Sequence, residues 1–182
     1  MDHLGDNINV DEENWHYVKI SKIDNKIIKK LVNNLKLNLS EEFFLSLESL
    51  LKLGKKAEPE LTAAINEMDE QHKFKKEIFN ALIKHIKTKQ SKNPKIFQLY
   101  HPDFEIRARA VMELGKEDNI NNLKFLMPLV MDPDDSVRWA VINLLINKYL
   151  NNPSVYKKLK KHVEKESNPI IRKKLIKVFE DF

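Results

Sequence analysis

Cysteine is absent from the 182 residues, so neither a disulfide framework nor a thiolate metal site can form, and a reducing interior suits the chain. We expect a cytoplasmic protein. Glycine is almost as scarce: only three are present. That is too few for a Gly-rich phosphate loop or for the tight turns of a β fold, and it favours helices, which tolerate few glycines. The class read from composition is all-α. Long apolar runs are missing as well. The longest, "FLMPLVM" from Phe125 to Met131, falls far short of the roughly 20 residues needed to span a bilayer. The opening "MDHLGDNINVDEEN" is polar and acidic where a secretory signal needs a positive start and an apolar core. We expect a soluble protein with no membrane association.

Hydrophobic residues make up 42% of the sequence, enough to fill one sizeable core. The net charge of +5 is unevenly spread. Lys148 to Phe182 holds ten basic residues against four acids, a local +6, which leaves 22 bases against 23 acids elsewhere. A second cluster, Lys84, Lys87, Lys89, Lys92 and Lys95, has no acid between Glu77 and Asp103. Both attract an acidic partner in principle.

The sequence also repeats. "HPDFEIRARAVMEL", starting at His101, is echoed thirty-one residues later by "DPDDSVRWAVINLL", starting at Asp132. Taking the bulky residue before the basic position as an anchor gives Phe43, Phe74, Ile106, Val137 and Ile171, spaced by 31, 32, 31 and 34. Each anchor is followed at plus four and plus eight by largely apolar residues, which is one face of a helix. Three residues before the anchors stand Ser40, Gln71, Asp103, Asp134 and Asn168, four of which are good N-caps. A shorter amphipathic stretch precedes each of these helices. Pro59 and Pro94 sit near the start of theirs, whereas Pro128 falls inside its pattern and predicts a kink. The unit is a helical hairpin of about thirty residues that must stack on its neighbours to bury its apolar face. Ten helices in five hairpins are expected over residues 24–182. Residues 1–23 form a tail whose "WHYVKI" segment, Trp15 to Ile20, caps the first unit.

On "LKLGKKAEPELTAAINEMD" and "MDPDDSVRWAVINLL", the units resemble HEAT repeats of the short variety found in phycobilin lyases and in many bacterial and archaeal proteins. The first unit departs from the pattern, with Phe44 where the usual Arg stands. The resemblance implies an α-solenoid in which a ladder of polar residues joins adjacent repeats. Ladder candidates pair each basic residue with the turn residue six positions earlier: Asp69 with Lys75, His101 with Arg107, Asp132 with Arg138 and Glu166 with Arg172. A planar guanidinium suits bridging carboxylates and turn carbonyls. It also implies that the second helices line the concave surface. Positions left free beside the anchor face are Lys76, Ala108, Trp139 and Lys173 at plus two, and Asn80, Met112, Asn143 and Lys177 at plus six. Trp139 is the large aromatic among them and a typical interface anchor.

No catalytic signature emerges. The histidines His3, His16, His72, His85, His101 and His162 are scattered singly, with no His-Glu pair and no i, i+4 pair to gather a metal. Bilin-site residues are not recognisable, and a DNA glycosylase reading on Trp139 and Asp135 matches poorly. The leading reading is therefore a non-enzymatic solenoid without cofactor or metal that binds a protein on its concave face. The alternative is nucleic-acid binding through Lys157, Lys158, Lys160, Lys161, Lys173, Lys174 and Lys177.

Overall fold

The computed structural model describes residues 25–69, 73–88, 95–117 and 119–180. The tail of residues 1–23, Gln71, Lys89, Lys92, Pro94 and the histidines His3, His16 and His72 lie outside the described residues. Ten α-helical segments are present among those described. They are α1 (Asn25–Asn34), α2 (Glu41–Leu53), α3 (Glu58–Asn66), α4 (Lys73–Thr88), α5 (Lys95–Gln98), α6 (Phe104–Lys116), α7 (Leu123–Leu126), α8 (Asp135–Tyr149), α9 (Pro153–His162) and α10 (Pro169–Glu180). Odd-numbered helices are the first, even-numbered the second, of five successive hairpins. The chain is an all-α solenoid.

Local chemistry sets the helix starts. Ser40, Asp103 and Asp134 cap α2, α6 and α8, accepting from backbone N–H groups of the first turn. Asn168 does the same for α10, accepting from Ile170 and Ile171 N–H at 2.9 and 3.2 Å. Asn152 caps α9 in the same way, with Pro153 directly behind it where its missing N–H costs nothing. Pro128 ends α7 early: the chain passes from α-helix at Leu126 into a tighter 3-10 turn over Met127–Met131, since a proline inside a helix removes one hydrogen bond and clashes with the preceding turn.

The anchor residues then lock the hairpins together. Phe43, Val137 and Ile171, with Leu47, Ile78, Ala110, Val141 and Leu175 four residues beyond an anchor, are buried in one continuous core. Phe74 is half-buried against it, and Ile106 is half-buried. Helices α6 and α8 pack side by side, and Gly115 allows their approach: a Cβ there would lie 2.7 Å from Leu144 Cδ1.

From the third hairpin onward the units stack in series. The first two join that stack differently. Helix α2 lies against the third hairpin: the Phe43 ring is 6.0 Å from Tyr100, and Leu47, Glu48, Leu51 and Lys52 share a cleft with Phe97, Gln98 and residues Tyr100 to Pro102. Helix α4 instead reaches the first helices of the third and fourth hairpins. His85 sits 5.6 Å from Phe97, and Glu77 bonds Lys124 at 2.7 Å. Thus α2 is the neighbour that α6 meets through its Arg107, and α4 lies beside α5 and α7.

Candidate functional site

The two arginines of the repeat build a buried polar structure among the described residues. Arg107 lies in the first turn of α6 and Arg138 in that of α8, one position after each anchor, so helical geometry turns them towards the turns that join the two helices of a hairpin. Arg107 donates through Nε and Nη2 to Asp132 Oδ2 and Oδ1, each at 2.9 Å. Its Nη1 donates to the carbonyls of His101 and Pro102 at 2.7 and 2.8 Å. Arg138 repeats the arrangement one hairpin later. Its Nε and Nη2 meet Glu166 Oε2 and Oε1 at 3.0 and 2.8 Å, and Nη1 meets the carbonyls of Asp132 and Pro133 at 3.0 and 3.1 Å. Each acid also accepts the N–H of the N-cap residue two positions on, Asp134 for Asp132 and Asn168 for Glu166. The Asp132 turn therefore serves two arginines, its carboxylate that of the preceding hairpin and its carbonyl that of its own.

Burial and bonding pull on these acids in opposite directions. Burial raises the Asp132 pKa, with the Arg107 bonds opposing it. Burial acts the same way on Glu166, yet bonds from Arg138, Asn168 N–H and His162 outweigh it and hold its pKa at about 2. His162, only 4% exposed, places Nε2 2.7 Å from Glu166 Oε2. The pKa of His162 is lowered, by burial above all.

The expected pairs at the two ends of the row depart from this pattern. Lys75 donates to the carbonyl of Lys36, in the turn of the first hairpin, and burial lowers its pKa. Asp69 is exposed beyond the end of α3. Arg172 is exposed and without a side-chain partner among the described residues, so the pairing of Glu166 with Arg172 is corrected: Glu166 belongs to Arg138 and His162. At the other end Phe44 stands where an arginine would, and the Arg107 guanidinium lies 4.0 Å over its ring. His101, in the place of the acid, accepts the Asp103 N–H on Nδ1 at 3.0 Å, much as Asp132 accepts that of Asp134. This rung has no arginine–carboxylate pair, and a cation–π contact takes its place.

The exposed candidates divide by helix. Trp139 on α8 is 39% exposed and forms the wall of a shallow groove of about 540 Å3 whose other lining residues are Pro169, Ile170, Lys173, Lys174 and Lys177 on α10. Lys174 holds the indole from above, its Nζ 4.8 Å from the ring, and also bonds Asn143 Oδ1. The structure thus brings together Trp139, Asn143, Lys173 and Lys177. Met112 is exposed and Ala108 half-buried on the neighbouring α6, while Lys76, half-buried, and Asn80, exposed, sit on α4 beside the first helices. Since α4 lies outside the row of α6, α8 and α10, Lys76 and Asn80 do not extend the Trp139 surface. Sequence spacing missed Lys174 and Ile170, because their offsets from the anchor in α10 fall outside the plus-two and plus-six positions.

Residues 93–180, just under half of the chain, match the family model for HEAT repeats. Over these residues the chain is similar to HEAT-repeat proteins. The matched span covers the three hairpins that stack in series and carry both arginine rungs. No curated protein and no solved structure matches the chain. HEAT repeats generally mediate protein–protein interaction. Among the described residues no helix is long and apolar enough to cross a membrane.

Proposed function

We propose that this solenoid is a non-enzymatic interaction module that binds a partner protein on the concave face of its second helices, with Trp139 as the anchor. The observation that carries the reading is the exposed indole, held by Lys174 against the α10 groove. An aromatic ring on a rigid helix offers large contact area at small entropic cost, and such residues dominate interface energies. Ile170, 68% exposed, and Met112, 59% exposed, supply further apolar surface on α10 and α6. No catalytic role is assigned to the Arg107–Asp132 or Arg138–Glu166 pairs, because their side chains are enclosed and bonded to one another.

Six of the seven lysines of the nucleic-acid alternative divide between two places. Lys173, Lys174 and Lys177 line the Trp139 groove, whereas Lys157, Lys158 and Lys161 line a different one between α9 and the Met127–Met131 turn. A single phosphate backbone would have to cross both, which favours the protein-binding reading. The test is affinity capture from native cell extract, with and without nuclease, using wild-type protein and Trp139→Ala. The complex should survive nuclease and weaken by about 2 kcal/mol or more in the variant, with an unchanged melting temperature. A variant that melts early yet keeps its partner would assign Trp139 to packing and remove the anchor from this proposal.

A further inference from the structure

Four lysines gather on and just after α9. Lys29, Lys36, Lys52, Lys87, Lys95 and Lys124 each have a carboxylate within ion-pair reach. Lys157, Lys158, Lys161 and Lys165 have none among the described residues. All four line one groove of about 430 Å3, with Ser154, His162, Met127 and Met131 completing it. The groove runs between α9 and the 3-10 turn that follows α7, so it belongs to the first helices and is separate from the Trp139 groove of α8 and α10.

Four ammonium groups on a groove wall that carries no carboxylate repel one another, with Glu164 placed in the adjoining cleft beside Lys157 and Lys161. Lys158, half-buried among them, shows the cost: burial first, then the charges of Lys165 and Lys161, lowers its pKa. A second, independent feature of the groove is an unpartnered acceptor that calls for a donor on the ligand. His162 is almost wholly enclosed, its Nε2 is committed to Glu166, and its Nδ1 is buried with no hydrogen-bond partner. Orphaned buried polar atoms are rare in folded proteins. Glu166 is ionised and can only accept, so Nε2 carries the proton and Nδ1 of the neutral ring offers a lone pair; on protonation it would donate instead. The cavity volume lies within the range of small-ligand sites, about 300 to 1,000 Å3. The two methionines add an adaptable apolar wall that shapes itself to flat or irregular surfaces.

We propose that this groove binds a multiply phosphorylated small molecule with a flat or apolar body, a nucleoside polyphosphate in chemical class. The phosphates lie among Lys157, Lys158, Lys161 and Lys165 with the Ser154 hydroxyl, and the body, which carries donors suited to His162 Nδ1, rests on Met127 and Met131. Lysine suits phosphate as a compact point charge. The combined positive charge calls for a ligand carrying several negative ones. A single carboxylate would leave most of the repulsion in place.

Calorimetry on the full chain at physiological salt, with adenosine triphosphate, inorganic tripolyphosphate and adenosine as separate probes, tests the assignment. One equivalent of adenosine triphosphate should bind, tripolyphosphate should bind more weakly, and adenosine should not bind measurably. Lys161 and Lys165 are exposed, so Lys161→Glu/Lys165→Glu should leave circular dichroism and melting unchanged while lowering affinity at least tenfold. The reversal Lys173→Glu/Lys177→Glu in the other groove should have no effect. The ring resonances of His162 should shift on titration with adenosine triphosphate. Absence of binding at millimolar probe, or affinity indifferent to the α9 reversal, overturns the proposal. So does a single-stranded oligonucleotide that displaces adenosine triphosphate and binds more tightly, which would hand these lysines to nucleic acid.

Discussion

At the scale of single residues, Arg107 and Arg138 each join two turns through five or fewer N–H donors that have few alternatives once buried. Removing one side chain leaves its carboxylate enclosed without a counter-charge. Arg138→Ala should therefore cost about 3 to 5 kcal/mol in denaturant unfolding, because Glu166 keeps its charge but loses the strongest partner. An unchanged midpoint would show that the rung adds nothing. Glu166 also sets a pH dependence. Its folded pKa of about 2 lies below the ordinary 4.5, so the unfolded chain takes up the proton first. The stability it contributes is complete above about pH 4.5 and is lost as pH falls towards 2. Asp132, shifted upward, pulls the other way. Glu166→Gln should flatten the acid limb of a stability profile measured over that range, and an identical slope would refute the assignment. Basic residues after each anchor are visible in the sequence, as is the six-residue offset. Which carboxylate each arginine chooses was not, because Asp132 and Glu166 lie 25 and 28 residues from their arginines and meet them only when hairpins stack.

At the scale of elements, caps and breakers behave as their chemistry requires. Ser40, Asp103, Asp134 and Asn168 were legible as helix starts because capping is a local bond within three residues. Pro128 was legible as an interruption for the same reason. Gly54 closes α2 with φ of 55° and donates its N–H to Leu50 O. Side chains rarely adopt that backbone, so Gly54→Ala should destabilise by about 1 to 3 kcal/mol in thermal or chemical unfolding. The space around its Cβ position is open, which makes the loss a matter of backbone conformation alone. A variant as stable as the parent would mean that the turn relaxes into another form. The path of α4 was not legible. Its apolar spacing matches that of the other second helices, and spacing reports which face is buried but not against what.

At the scale of the whole molecule, the lysine-rich end of the chain is split between the α9 groove and the α10 groove. That division sets the expectation for nucleic acid. Each phosphate neutralised releases counterions, so log affinity falls with log salt by about 0.9 per contact and about four contacts would give a slope near 3.6. Duplex DNA should instead bind weakly and without sequence preference, with binding gone at physiological salt; fluorescence anisotropy across a salt series checks this. Retained tight binding that Lys157, Lys158, Lys160 and Lys161 replaced by Glu abolishes would reverse the ranking.

The second lysine cluster teaches the same lesson. Lys87 and Lys95 have no acid nearby in sequence, but the fold supplies Glu58 and Glu117 at 3.4 and 2.8 Å. By itself the sequence determined the helical class, the hairpin period, the caps, the Pro128 interruption and the residues of the buried face. All of these follow from bonds and periodicities spanning a few residues. The tertiary structure alone decided the carboxylate partners of the arginines, the packing of Arg107 on Phe44 and the enclosure of His162. It also decided which lysines are neutralised and which face a groove without an acid. These depend on how rigid hairpins meet, and side chains two dozen or more residues apart become neighbours only through that packing.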